Sequence, residues 1–163
     1  MDIGCAGGLL YDRLKLTNME KYIGVDLATH AIECAKNQFD TEEDRNKASF
    51  SSGDLLGIEF PEIDVAVALG VLEWLNLEEI QKLLGKIAPK PFLFSISEKT
   101  NSLARWVHSI YVYLAYGWKT KGYVPQYYSV EELISIAKSC GYDSIKIYRH
   151  KELRFGAFLY NLD

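Results

Sequence analysis

Near its start the chain reads "DIGCAGG", an acid, Asp2, standing just ahead of Gly4, Gly7 and Gly8. Glycine supplies backbone dihedrals that other residues avoid, and it lets a ligand approach the main chain closely. A helix opening after such a turn presents unpaired N–H groups and a partial positive charge. Two further acids end apolar runs, Asp26 in "KYIGVD" and Asp54 in "ASFSSGD". Ionised carboxylates make the stronger hydrogen bonds. Asp26 therefore suits the two hydroxyls of a ribose, and Asp54 an exocyclic amine such as that of adenine. Each Asp alone is equally well read as the cap of the helix behind it. Three in order, each after a strand, favour a shared site.

Two nucleotide classes fit this pattern poorly. A dinucleotide fingerprint needs G-x-G-x-x-G, and counting from Gly4 gives Gly4, Ala6 and Leu9. A phosphate loop needs Gly-Lys followed by Ser or Thr; here Gly85-Lys86 is followed by Ile87. An adenosyl ligand bearing a carboxylate remains.

The elements that must hold these acids follow from the hydrophobic pattern. Residues 9–16 read as a helix, 21–26 as a buried strand, and "ATHAIECAKNQF" as a helix with apolar spacing at Ala28, Ile32, Ala35 and Phe39. Residues 41–47 read as a solvated connection, and "ASFSSGDL" as a short strand. "IDVAVALGVL", residues 63–72, reads as the strongest strand, nearly continuous and apolar. A helix over 78–88 is stopped by Pro89 and Pro91, and "FLFSIS" is the next strand. A helix over "VEELISIAKSCG" and two closing strands, "YDSIKIYR" and "FGAFLYNL", complete the pattern; the last two should pair antiparallel. Alternating strands and helices imply a doubly wound α/β sheet, whose ligands bind outside the carboxyl ends of the strands.

Length and composition set the limits. At 163 residues a single domain, 1–163, is expected. A net charge of −4 argues against a nucleic-acid partner. Three cysteines without Cys-x-x-Cys spacing point to reduced thiols in the cytoplasm and give no metal site. No run reaches the roughly 18 apolar residues of a transmembrane segment.

The motifs resemble those of class I S-adenosylmethionine-dependent methyltransferases. "DIGCAGG" is similar to their D-x-G-x-G-x-G loop, with Ala6 where that family has glycine. "YIGVDLATHAIECAK", "FSSGDL" and "DVAVALGVLEWL" resemble the second, third and fourth motifs. "YYSVEELISIAKSCGYDSIKIY" resembles the C-terminal region of the small-molecule branch. The resemblance implies a Rossmann-like, seven-stranded, mostly parallel sheet with an antiparallel last strand. It implies S-adenosyl-L-methionine as cofactor, with Asp2, Gly4, Ala6 and Gly8 around its methionine part. Asp26 and Leu27 would lie at the ribose, Asp54 and Leu55 at the adenine, and Leu69 and Gly70 beside the cofactor. It also implies a first strand and helix ahead of Asp2. The first strand is therefore expected to be truncated here and the parent chain to extend upstream, unless the N-terminus closes the site another way.

The acceptor side is less defined. Glu73 and Trp74 follow the fourth motif, Glu98 follows "FLFSIS", and His108, Tyr111, Tyr127 and Tyr128 lie in a Trp- and Tyr-rich stretch. Any of these apart from Trp74 is a candidate base for an acceptor that keeps a proton. "SLARWVHSIYVYLAYGW" is helical in spacing and apolar nearly all round. It reads as a lid or insertion at about 99–128 over an apolar or aromatic small-molecule acceptor, or as a helix that simply completes the core or a homodimer contact. No Asn-Pro-Pro-Tyr type motif follows the fourth strand, which argues against nucleic-acid amino groups as acceptors. A non-catalytic adenosyl-ligand or protein-binding module on the same fold is the alternative.

Overall fold

Strand and helix alternate in the structure as the hydrophobic pattern requires. The structure, a computed structural model, describes residues 1–99, 103–116, 125–153 and 156–162. Among the described residues, seven strands form one sheet: β1 (Asp2–Ile3), β2 (Tyr22–Asp26), β3 (Ala48–Ser52), β4 (Ala66–Ala68), β5 (Phe92–Ser97), β6 (Lys146–Tyr148) and β7 (Gly156–Tyr160). Their order is β3-β2-β1-β4-β5-β7-β6. The first five run parallel, and β7 is antiparallel to both β5 and β6. This is the expected Rossmann-like, doubly wound sheet. The direction of winding reverses between β1 and β4, the switch point where such sheets leave a crevice for ligands.

Helices α1 (Leu9–Leu14), α2 (Thr29–Gln38), α3 (Glu42–Lys47), α4 (Leu77–Ile87), α5 (Leu103–Tyr116) and α6 (Val130–Ser139) connect the strands. In α4, Ile80, Leu83, Leu84 and Ile87 recur at i, i+3, i+4 and i+7 and are all buried. Reciprocal capping boxes open α4 (Asn76 with Glu79) and α6 (Ser129 with Glu132). Gly141, at φ +91°, follows the end of α6. Both helices cover one face of the sheet, over Ile3, Ala66, Ala68, Phe92 and Phe94. The other face carries an aromatic cluster of Tyr11, Tyr22, Phe39 and Phe50. Tyr11 meets the Phe39 ring edge-on at 5.0 Å, and Phe39 stacks on Phe50 at 5.8 Å.

Several boundaries differ from the sequence reading. The apolar run 63–72 is a strand only over Ala66–Ala68. Its neighbour β1 offers just two ladder positions, and at Gly70 the chain turns through φ +71°. The amide of Gly70 donates to Ser95 Oγ at 2.7 Å instead of joining the ladder, and Leu72–Trp74 coil into a 3₁₀ turn. The presumed connection 41–47 contains α3, because Thr41 Oγ1 accepts the Asp44 N–H and caps it. Helix α1 ends at Leu14, two residues early. The expected helix end at residues 117–118 and the strand residue 155 lie outside the described residues.

Strand β1 explains how Asp2 is held. Ile3 points into the α4/α6 layer, so the alternation of a strand sends Asp2 to the aromatic face. There it is 3% exposed and accepts a hydrogen bond from the Tyr22 hydroxyl. Burial pushes the Asp2 carboxyl above the usual carboxylate range, while the Tyr22 bond pulls the other way. Removing that hydroxyl in Tyr22→Phe takes a donor from a buried charge, at about 1.5–3 kcal/mol of stability. Because the bond favours the ionised form, the loss should be greatest well above the folded Asp2 pKa. It should shrink as pH falls through the folded Asp2 pKa and the carboxyl protonates. Urea unfolding of both proteins across this range measures it.

Candidate functional site

The loop joining β1 to α1 is shaped by its own packing before any ligand is considered. Gly4 (φ +74°) and Gly8 (φ +81°) take left-handed conformations. A Cβ at Gly4 would collide with Val71, and one at Gly8 would stand 2.8 Å from the Phe39 ring. Their glycines are thus structural necessities. Ala6, at φ +44°, keeps the turn where the related motif has glycine, at a cost of about 1–2 kcal/mol for an L-residue. Gly7 and Gly70 are different: a Cβ at either would meet nothing within 4 Å. Open space lies over both.

Asp26 ties this loop to the sheet. Its Oδ2 accepts the Ala6 N–H at 2.8 Å, and its Oδ1 accepts the Ala28 N–H at 2.8 Å. The Gly4 and Cys5 amides both donate to the Val25 carbonyl, at 2.7 and 3.1 Å. The Asp26 carbonyl accepts from Gly53 at 3.0 Å, drawing in the turn after β3. In that turn Asp54 is exposed, and its Oδ1 accepts the Leu56 N–H at 3.0 Å. Lys86 of α4 reaches across and donates to the carbonyls of Leu55 (3.1 Å), Leu56 (3.0 Å) and Ile58. One ammonium therefore fixes the loop that carries Asp54. The sequence offered "GK" only as a failed phosphate motif, and nothing in the spacing pointed to this long-range contact.

The candidate binding residues thus divide. Since β1 to β4 are parallel, the loops bearing Gly4, Ala6, Gly8, Asp26, Leu27, Asp54, Leu55, Leu69 and Gly70 leave the same, carboxyl, edge of the sheet. Leu27 (73%) and Leu69 (41%) are exposed apolar side chains on that rim, while Leu55 is half-buried against the core. Asp2 is the exception. Its carboxylate lies enclosed beneath the loop, against Tyr22, not on the rim beside Asp26 and Asp54. Burial and the nearby Asp2 and Asp26 charges push the Cys5 thiol up to about 12, which makes it a packing residue at neutral pH. A separate cavity of about 540 Å³, bordered by Met1, Tyr22, Glu62 and Asp64, opens at the amino ends of the strands.

The acceptor-side candidates also divide. Glu73 Oε1 accepts from Ser97 Oγ at 2.7 Å, and the Glu73 carbonyl accepts from the Gln126 amide at 2.8 Å. Residues 125–128 return along β5, with Tyr128 bridging Glu98 in parallel. This brings Tyr127 to His108 of α5, whose Nδ1 stands 2.9 Å from the Tyr127 hydroxyl. Glu98 is held by Arg149 through two bonds of 2.7 and 3.0 Å. Tyr128 is buried, donates to the Leu75 carbonyl, and is pushed up to about 12 by burial. Tyr111 faces outward at 59% exposure, and Trp74 is partly exposed at the 3₁₀ turn. Glu73, His108 and Tyr127 are the groups best placed near the ends of β4 and β5. Ser95 and Ser97, which brace Gly70 and Glu73, were missed; their two-residue spacing in "FLFSIS" was the available signal.

A family described as "Methyltransferase domain" matches residues 1–89. The chain belongs to that methyltransferase-domain family. Its fold matches solved methyltransferases throughout. Human N-acetylserotonin methyltransferase, solved with S-adenosylmethionine, superposes with a TM-score of 0.73 at 18% identity, covering 98% of this chain and 45% of that one. The methyltransferase domain of a bacterial Hen1 protein gives 0.70 at 19% identity, covering 99% and 87%. Magnesium protoporphyrin IX methyltransferase from Synechocystis PCC 6803, solved with S-adenosylhomocysteine, gives 0.67 at 17%, covering 98% and 71%. The chain spans less than half the length of the human enzyme. No curated protein sequence matches it.

The strained turn yields a simple expectation. Ala6→Gly removes about 1–2 kcal/mol of left-handed strain and adds about 0.5–1 kcal/mol of unfolded-state entropy. The variant should be about 0.5–1 kcal/mol more stable in urea unfolding. Gly70→Ala, strained by φ +71° though unobstructed, should lose about 0.5–1 kcal/mol, the left-handed strain less the unfolded-state entropy that a glycine carries.

Proposed function

We propose that this chain binds S-adenosyl-L-methionine on the carboxyl-end rim and transfers its methyl group to a small, apolar or aromatic acceptor. The observation that carries the reading is the Asp26 carboxylate. A carboxylate offers about four lone-pair sites, and the Ala6 and Ala28 amides take one on each oxygen. Two remain at the strand end, the number that two vicinal ribose hydroxyls need.

The rest of the rim supports the same ligand. Leu27 and Leu69 give exposed apolar surface of the kind an adenine ring covers, with Asp54 and Leu55 on the neighbouring loop for its exocyclic amine. Gly4, Ala6 and Gly8 shape the backbone around the methionine part, and the open space over Gly7 and Gly70 leaves room for it. Asp2 serves as a positioning residue, acting through Tyr22 and the β1 backbone beneath the loop. The reading takes 1–163 as one domain and the cytoplasm as its compartment, in keeping with three free thiols at Cys5, Cys34 and Cys140.

When bound, the cofactor supplies an electrophilic methyl group on a sulfonium. The protein's task is alignment, which can lower the barrier by about 7–11 kcal/mol. Where the acceptor keeps a proton, Glu73 or the His108–Tyr127 pair receives it, adding about 10²–10⁴-fold. The inner side of α5, with His108 and the buried Val112, forms the acceptor wall and excludes water.

Calorimetric titration with S-adenosylhomocysteine tests the reading. The chain should bind it and give no heat with NAD. Asp26→Ala should weaken binding by about 1.5–3 kcal/mol, roughly ten- to hundredfold. An unchanged dissociation constant removes Asp26 from the site.

A further inference from the structure

We infer that Lys86 sets the base preference of the cofactor site, as a positioning residue that holds the Asp54 turn from behind. The inference rests on the cofactor reading above, in which the Asp54 carboxylate meets the exocyclic amine of adenine. Such a bond discriminates between bases only if its acceptor stays in place. Asp54 is exposed, and Oδ1 is spent on its own turn, accepting the Leu56 N–H at 3.0 Å. Among the described residues Oδ2 accepts no hydrogen bond. A Cβ at Gly57 would crowd it at 3.3 Å, so the glycine leaves that oxygen uncovered.

The turn has little else to hold it. The Asp54 carbonyl accepts the Gly57 and Ile58 amides, both at 3.0 Å. These bonds shape the turn without attaching it to the sheet. Among the described residues, the hydrogen bonds that reach 54–60 from another element all come from Lys86. Three carbonyls within four residues converge on its ammonium, those of Leu55 (3.1 Å), Leu56 (3.0 Å) and Ile58. An ammonium has three N–H donors, so every one is used. The Phe60 ring, 4.9 Å from Nζ, adds a cation–π contact. Lys86 itself stands in the last turn of α4, where the helix dipole favours a cation. That helix is locked into the core by Ile80, Leu83, Leu84 and Ile87. A rigid helix thus supplies the frame, and one side chain transmits it to the Asp54 turn. With a neutral side chain there, three carbonyls of half-buried residues lose their donor. They then turn toward water and carry Asp54 out of register with the base.

Calorimetric titration of the full chain with S-adenosylhomocysteine and with S-inosylhomocysteine tests the inference. The second ligand carries a carbonyl oxygen in place of the amine and sets an acceptor against the Asp54 carboxylate. The wild-type chain should favour the adenosyl ligand about tenfold or more, the worth of one charged hydrogen bond. Lys86→Met should bring that ratio to about threefold or below, through weaker adenosyl binding. Lys86→Arg, whose planar fork cannot aim three donors from one atom, should move it in the same direction; it carries the test if Lys86→Met does not fold. Lys82→Met removes the same charge from an exposed position of α4 and should keep the wild-type ratio. Asp26→Ala should keep it too while weakening both ligands alike, which separates the ribose contact from the base contact. A ratio unchanged in the Lys86 variants, or a wild-type chain with no base preference, overturns the inference and leaves the cofactor reading standing. Binding of neither ligand to the wild-type chain overturns both.

Discussion

The Asp26 carboxylate, accepting Ala6 on one oxygen and Ala28 on the other, is the contact on which the site depends. It joins a left-handed turn, a strand end and a helix start that no backbone ladder connects. Without it the Gly4–Gly8 loop would be tethered mainly through the Val25 carbonyl. The same residue's carbonyl draws in Gly53 and so positions Asp54. One residue, through its carboxylate and its carbonyl, thereby sets the spacing of three loops. Charge-assisted bonds of this kind are stronger than neutral ones, which suits a loop whose turn at Ala6 is strained.

Beneath the rim, the sheet is organised to make such a loop affordable. Ile3 packs under α4 and α6, while Asp2 on the same two-residue strand faces the aromatic cluster and bonds Tyr22. The Phe39 and Phe50 rings fill the space that a side chain at Gly8 would need. Lys86 secures the far wall by holding three carbonyls of the β3–β4 connection. Binding geometry is thus fixed from the core outward, and the rim itself keeps open space and exposed leucines.

The strand–helix alternation, the parallel sheet with its antiparallel end and the carboxyl-edge loops were legible in the sequence, because apolar periodicity and glycine-acid turns are local signals. What was not legible depends on contacts across the chain. The run 63–72 reads as a long strand, yet Gly70 leaves the ladder for Ser95, twenty-five residues away. Asp2 looks equivalent to Asp26 and Asp54 by position after a strand; only the two-sided packing of β1 shows it to be enclosed. Thr41 hid a helix start within a charge cluster. Glu98 and Tyr128 read as candidate bases until Arg149 and the Leu75 carbonyl engage them.

The most direct test is a crystal structure of the chain with S-adenosylhomocysteine. Ribose hydroxyls within hydrogen-bond reach of Asp26, beside the open backbone at Gly7 and Gly70, are the predicted result. Ligand density in the cavity bordered by Tyr22 and Glu62 at the opposite end of the strands, with the rim untouched, would contradict it.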